Sequence, residues 1–188
     1  MARPIALPRP PEAVSAAAAR YGPLAILALA GVALVVAEFL TYREIVAITV
    51  VPDGGRTTGG AHHGYALGLI GLVSLPMSYG AVIGGSRPAS AAVAVLGGLA
   101  VAIIAIFDLP SLNDTGLIGR TYDLAEARPG PGFWVELVAA VVLLAGGLLL
   151  LRSHVTAARE QSASRRSERR ARRAAEGEAE EPPLSRER

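Results

Sequence analysis

The chain has 188 residues, 52% of them hydrophobic and only 5% aromatic, with 18 basic against 16 acidic side chains and a formal net charge of +2. Its apolar residues are gathered into blocks, which points to an integral membrane protein rather than a soluble domain. There is no cysteine and every basic side chain is Arg, which excludes disulfides, thiolate chemistry, Schiff bases and Lys-dependent phosphate loops.

Residues 1–22 form a Pro- and Ala-rich leader with Arg3, Arg9 and Arg20, expected to be cytoplasmic and mobile. The apolar run after Arg20 is too long for the h-region of a signal peptide, and no A-x-A-like site follows, so the first span is read as uncleaved. Pro23 suits the first turn of its helix. The span is placed at about 23–45, with Glu38 near its outer end. Residues 42–51, YREIVAITVV, are rich in β-branched side chains. Helix as far as Ile45 with irregular structure beyond is preferred there, and a short strand is the alternative.

Residues 52–63, PDGGRTTGGAHH, read as a turn-rich loop. The second span covers about 65–84. Pro76 should kink it, and Ser74 or Ser78 can cover the carbonyl that the kink frees. Gly64 with Gly68, and Gly80 with Gly84, have the spacing of close helix packing, here within one bundle. Pro88 opens the third span, about 88–107, in which Ala94, Gly98 and Ala102 form a stripe of small residues. The fourth span, about 133–151, starts on Phe133 and Trp134, which suit an interface, and carries Glu136 one turn in. Residues 152–188 are Arg-rich and then acidic. They are expected to be cytoplasmic and largely disordered, with the basic part able to prolong the last helix.

The expected fold is therefore an all-α membrane protein. Four transmembrane helices, residues 23–151, form a bundle with an ordered extracytoplasmic loop between helices 3 and 4 and a disordered charged C-terminal tail. Arg3, Arg9, Arg20 and Arg87 lie on the side of the termini, as do Arg152, Arg159, Arg165 and Arg166. Arg43, Arg56, Arg120 and Arg128 lie opposite. The bias places both termini in the cytoplasm and the protein in the cytoplasmic membrane. The loops 52–63 and 108–132 then both face outward, where they can touch. Leu117, Ile118, Tyr122 and Leu124 are apolar enough to pack the second loop down.

Carboxylates inside spans usually face the protein interior, because exposure to lipid is costly. Glu38, Asp108 and Glu136, with Arg43 near the same level, form a candidate polar cluster beneath the 108–132 loop. A simpler reading has Glu136 favoured by the positive end of its helix and Glu38 satisfied by Arg43, Tyr42 or water. The oxygen-bearing loop residues Asp108, Asn113, Asp114, Thr115, Asp123 and Glu126 do not match the spacing of an EF-hand and read as turn chemistry. His62 and His63 are adjacent and lack the i, i+4 spacing of zinc helices, and His154 lies on the other membrane face. No metal, cofactor or catalytic motif is expected. The cluster SRRSERRARR follows a span directly and has no interleaved aromatic. Arg165 and Arg166 within it, with Arg152 and Arg159 ahead of it, are assigned to anionic lipid headgroups rather than nucleic acid.

GYALGLIGLVSLP in the second span, the SRPAS turn, and FDLPSLNDTGLIG followed by PGPGFWVEL resemble a class of small, uncharacterised four-span membrane proteins of high-GC actinobacteria. The resemblance covers about residues 24–151 and implies no activity. The layout is also similar to that of the tryptophan-operon-associated membrane proteins. This chain departs from them, since its first span ends in EFLTYREI with no Trp. The function expected first is a non-enzymatic interaction or envelope-associated factor with a membrane or envelope protein partner. The alternative is a small-solute or proton-linked transport or channel component using Glu38 and Glu136.

Overall fold

A computed structural model describes residues 12–46, 55–121 and 125–179. Most of the leader with Arg3 and Arg9, residues 47–54, the expected loop contacts Tyr122 and Leu124, Asp123, and the acidic end 180–188 lie outside the described residues. The chain forms two compact units, Met1–Leu150 and Leu151–Arg188.

The first unit is helical around a core of Leu27, Leu34, Leu67, Val93, Ile104 and Leu143. Helix α1 runs from Glu12 to Ala37, so Pro23 lies inside it rather than in its first turn. Helices α3 (Ala66–Val82) and α4 (Arg87–Ile103) follow, and α7 starts at Pro131. Ser86 caps α4 by accepting from the Ala89 amide, with Pro88 in the first turn. Two helical stretches, Arg87–Ser111 and Pro131–Thr156, are long and apolar enough to cross a membrane. Two shorter apolar helices, Tyr21–Ala37 and Ala66–Val82, accompany them.

The helices meet where a side chain is missing. Gly31 of α1 lies against Gly71 and Ser74 of α3, and Gly97 of α4 lies against the backbone of Leu144. Gly147 lies on the backbone of Ala94. Close packing within the bundle therefore uses Gly97 rather than the Gly98 of the small-residue stripe, whose nearest neighbour is only a Leu144 methyl. In α3 the Ser74 hydroxyl donates to the Gly71 carbonyl beside Pro76.

An all-α fold is corrected by a three-stranded antiparallel sheet of order β2-β1-β3. The expected helix to Ile45 ends at Ala37, and Thr41–Val46 is the central strand β1. Its β-branched residues favour an extended chain once partners are present on both edges. β2 (Arg56–Thr58) pairs Arg43 with Thr57, and β3 (Glu126–Pro129) pairs Arg43 with Pro129 and Val46 with Glu126. The sheet joins the two loops expected to face outward. A Glu44–Arg56 ion pair of 3.0 Å closes one edge. Between β2 and α3 lies one turn and a half of helix, α2 (Gly59–His63), followed by Gly64 and Tyr65, both left-handed.

The third long helix does not stop at Asp108. After α4 the backbone widens into a π-helical turn, Ile104–Asp108, and continues as the short α5 (Leu109–Ser111). Pro110 has no amide hydrogen to donate, so the regular ladder cannot pass through it. α6 (Gly116–Thr121) completes the loop before β3.

In the second unit, α7 continues to Ala179: the Arg-rich part prolongs the last helix, as its sequence allows, and the helix runs on past Arg173 into residues expected to be disordered. Its Ala, Arg and Glu residues have high helix propensity. Arg152, Arg165 and Arg166 are exposed.

Candidate functional site

Among the described residues, six polar or charged side chains of the first unit are buried, Glu38, Ser74, Ser78, Ser90, Asp108 and Glu136. Three of them converge. Glu38 comes from the turn after α1, Asp108 from the π turn, and Glu136 from the second turn of α7. A fourth residue, His63 from the end of α2, lies between them. Its Nδ1 faces Glu38 Oε2 at 3.5 Å. Its Nε2 faces Asp108 Oδ1 at 3.3 Å and Glu136 Oε2 at 3.9 Å.

Backbone shape makes this convergence possible. Glu38 Oε1 accepts from the Gly68 amide at 2.7 Å, and a Cβ at Gly68 would press on the Glu38 side chain. A Cβ at Gly59 would fall 2.5 Å from Glu136 Oε1, so the bare glycine leaves room for that carboxylate. The Gly60 amide donates to the Glu38 carbonyl at 2.9 Å, which fixes α2 against the end of α1. The π turn re-aims Asp108 inward, a common use of such turns.

The groups are poorly satisfied. Glu38 Oε2, both oxygens of Asp108, both oxygens of Glu136 and both nitrogens of His63 are buried without a hydrogen-bond partner. Buried polar atoms are nearly always paired, so seven at one place mark a site and not a packing accident. Glu38, His63 and Glu136 each offer a ligand atom within 4.8 Å of the others, a spacing that can hold a metal ion.

An outer layer holds the cluster in place. Tyr42 is fully buried and its hydroxyl donates to the Asp108 carbonyl at 2.9 Å, with Ser111 Oγ 2.7 Å away. Burial pushes the Tyr42 hydroxyl pKa up, so it stays protonated. His62 stacks on the Tyr42 ring, centroids 4.6 Å apart, with its Nε2 3.4 Å from Asp108 Oδ1. A cavity of about 350 Å³ lined by His62, His63, Ala66, Ile103 and Phe107 leads to the imidazoles.

Arg43 does not join the cluster. Neighbouring strand residues point to opposite faces, so Tyr42 turns inward and Arg43 outward. Arg43 Nη1 donates to the carbonyls of Ser111 and Asp114, both at 2.7 Å, and clamps the turn that follows Asp108. Glu38 is therefore not satisfied by Arg43. In the loop, Asp114 accepts from the Gly116 amide, which is turn chemistry.

The two histidines are pushed apart. Burial lowers the pKa of His62, and the nearby Asp108 charge does not offset it. Burial also opposes protonation of His63, but the close Asp108 carboxylate and the charges of Glu136 and Glu38 outweigh it, so its pKa is raised. A raised pKa means that the stability from His63 is fully present below about pH 6.5 and is lost as pH rises through the folded value. Thermal melts of metal-free protein across that window are expected to show this loss, and His63→Gln is expected to flatten it. A profile unchanged by His63→Gln would assign the slope to the facing groups Glu38, Asp108, Glu136 and His62.

In the sequence His63 is set aside as a ligand because it lies next to His62 without i, i+4 spacing, in a segment that reads as a loop. The signal available was a His pair directly before an apolar run, in a chain with carboxylates inside or beside two other apolar runs. No protein-family model and no curated protein matches the chain.

Proposed function

We propose that the protein is a four-span protein of the cytoplasmic membrane, termini in the cytoplasm, that binds a cation at the outer end of its bundle and exchanges it as a transport component. One observation carries this reading: three carboxylates and a histidine from four separate elements meet, buried, with seven of their polar atoms lacking a hydrogen-bond partner. A purely structural cluster would be satisfied internally, since unpaired buried charge is strongly destabilising. The interaction-factor reading expects each carboxylate to be satisfied on its own, whereas Asp108 and Glu136 have no hydrogen bond and share the His63 imidazole.

The four-span topology is supported by an inverted polarity. Helix α1 exposes Ile26, Leu29, Val32 and Val36, and α3 exposes Leu69, Leu72 and Val73, while charged groups are inside. That arrangement suits lipid and not water. The Arg-rich helix beyond Leu151, with Arg152, Arg159, Arg165 and Arg166, then faces anionic headgroups, each Arg contributing about 1 kcal/mol.

The test is flux through proteoliposomes. Wild-type protein is expected to dissipate an imposed pH or divalent-cation gradient at least about tenfold faster than empty vesicles. The double variant Glu38→Gln, Glu136→Gln is expected to fall to the vesicle leak, a loss of more than about 1.4 kcal/mol per tenfold in rate. Equal rates for wild type and the double variant reject the transport role.

A further inference from the structure

We infer that the cation is a divalent first-row transition metal, held by His63, Glu136, Asp108 and Glu38. The inference rests on the cation-site reading and names its ligand class. It does not rest on acidic residues alone. His63 is 6% exposed in its side chain, has no hydrogen bond at either nitrogen, and points both nitrogens into the carboxylates.

The spacing is that of a shell slightly open. Around an ion with bonds of about 2.1 Å, tetrahedral ligand atoms lie about 3.4 Å apart. His63 Nε2 already lies 3.3 Å from Asp108 Oδ1 and 3.9 Å from Glu136 Oε2. The wider limit of 4.8 Å for the set Glu38, His63 and Glu136 closes by small side-chain rotations. On the other edge of the ring, Glu38 Oε2 lies 3.5 Å from Nδ1. That is the place of a carboxylate that orients a metal-bound imidazole and, with rotation, reaches the ion itself.

The donor set selects the ion class. One imidazole disfavours Mg²⁺ and Ca²⁺, which prefer oxygen ligands and waters. Three carboxylates and no thiolate disfavour Cu⁺. Zn²⁺, Mn²⁺ and Fe²⁺ accept mixed oxygen and nitrogen donors. Negative charge suits the same ions, since three buried carboxylates share a single imidazole and a 2+ charge relieves their mutual repulsion. His62 lines the cavity beside His63 and is 23% exposed in its side chain, which places a second, neutral imidazole on the way in.

The experiment uses the purified full chain in detergent, stripped with chelator, and titrated with Zn²⁺ or Mn²⁺ by calorimetry and thermal melting. One ion per chain is expected, with a rise in melting temperature that grows with free metal. Mg²⁺ and Ca²⁺ at the same concentration are expected to give at least about tenfold weaker binding. His63→Ala and Glu136→Gln are expected to weaken Zn²⁺ binding at least about 100-fold. Because these variants alter a buried cluster, Gly59→Ala provides a second measurement. Its new methyl displaces Glu136 Oε1, a mobile side-chain end, so helicity is kept while metal affinity falls at least about tenfold. Co²⁺ bound to wild type is expected to show visible bands of an oxygen–nitrogen shell that Gly59→Ala shifts. Absence of Zn²⁺ and Mn²⁺ binding, or binding unchanged in His63→Ala and Glu136→Gln, overturns the inference. If such a result coincided with a pH-gradient flux that still required the carboxylates, only the metal assignment would fall. Loss of both would remove the cation reading as well.

Discussion

At pH 8 and in the presence of a chelator, Glu136→Gln is expected to melt above wild type. Glu136 is fully buried, neither oxygen is hydrogen-bonded, and its carboxylate shares one space with Asp108 and Glu38. Gln keeps the shape and removes the charge. Replacing a buried, badly compensated charge by a neutral group of similar volume typically gains about 1–2 kcal/mol. In a chain of this size that corresponds to roughly 2–8 °C. The same variant loses stabilisation by metal, so wild type and variant exchange rank when Zn²⁺ is added. Differential scanning fluorimetry in detergent reads both effects. A lower melting temperature for metal-free Glu136→Gln would mean that Glu136 is a satisfied structural group, contrary to the reading of the site.

Gly97→Val is expected to have the largest effect of the opposite sign. A Cβ there would collide with the main chain of Leu143 and Leu144, which cannot rotate out of the way. Helices α4 and α7 would have to separate along their closest crossing, at about 3 kcal/mol. The expected fall in melting temperature is roughly 6–12 °C, with reduced yield of folded protein. Gly98→Ala, one residue on, meets only a Leu144 methyl at 3.8 Å and is expected to change little. If the two variants melted alike, the crossing would not depend on close backbone approach.

The pair also shows how much of the bundle can be read from the chain. Apolar blocks and their turn residues place the two long apolar helical stretches to within about five residues, because the period and the breakers are local signals. The residue that makes the α4–α7 contact is not local information. Of the visible stripe Ala94, Gly98 and Ala102, Ala94 does meet Gly147 of α7, yet the next close approach is made by Gly97 and not by Gly98, since the partner helix decides which residues are used. Tyr42 to Val46 illustrates the same limit. Its β-branched residues allow a strand, but the edge that completes it, Glu126–Pro129, is four residues long and more than 80 positions away in the sequence.

The site divides in the same manner. Glu38, Asp108 and Glu136 stand out because a carboxylate in or beside an apolar run needs an explanation. Arg43 was grouped with them by its level in the membrane, and strand alternation turns it away. His63 is invisible to a test for chelation by one helix. The rings of His62 and His63 are inclined by 73°, so one stacks on Tyr42 and the other enters the cluster. A ligand set drawn from four elements has no spacing rule to find.

The π turn at Ile104–Asp108 amounts to one surplus residue in an otherwise regular helix. Each residue of an α-helix advances the phase by about 100°. Without that surplus, every side chain from Asp108 onward would be turned through about that angle, and the carboxylate would leave its present partners. The span would still be apolar, the right length and well packed. Gain or loss of the site in the history of this chain therefore needs only a single-codon insertion or deletion ahead of Asp108, with no change to the acids themselves.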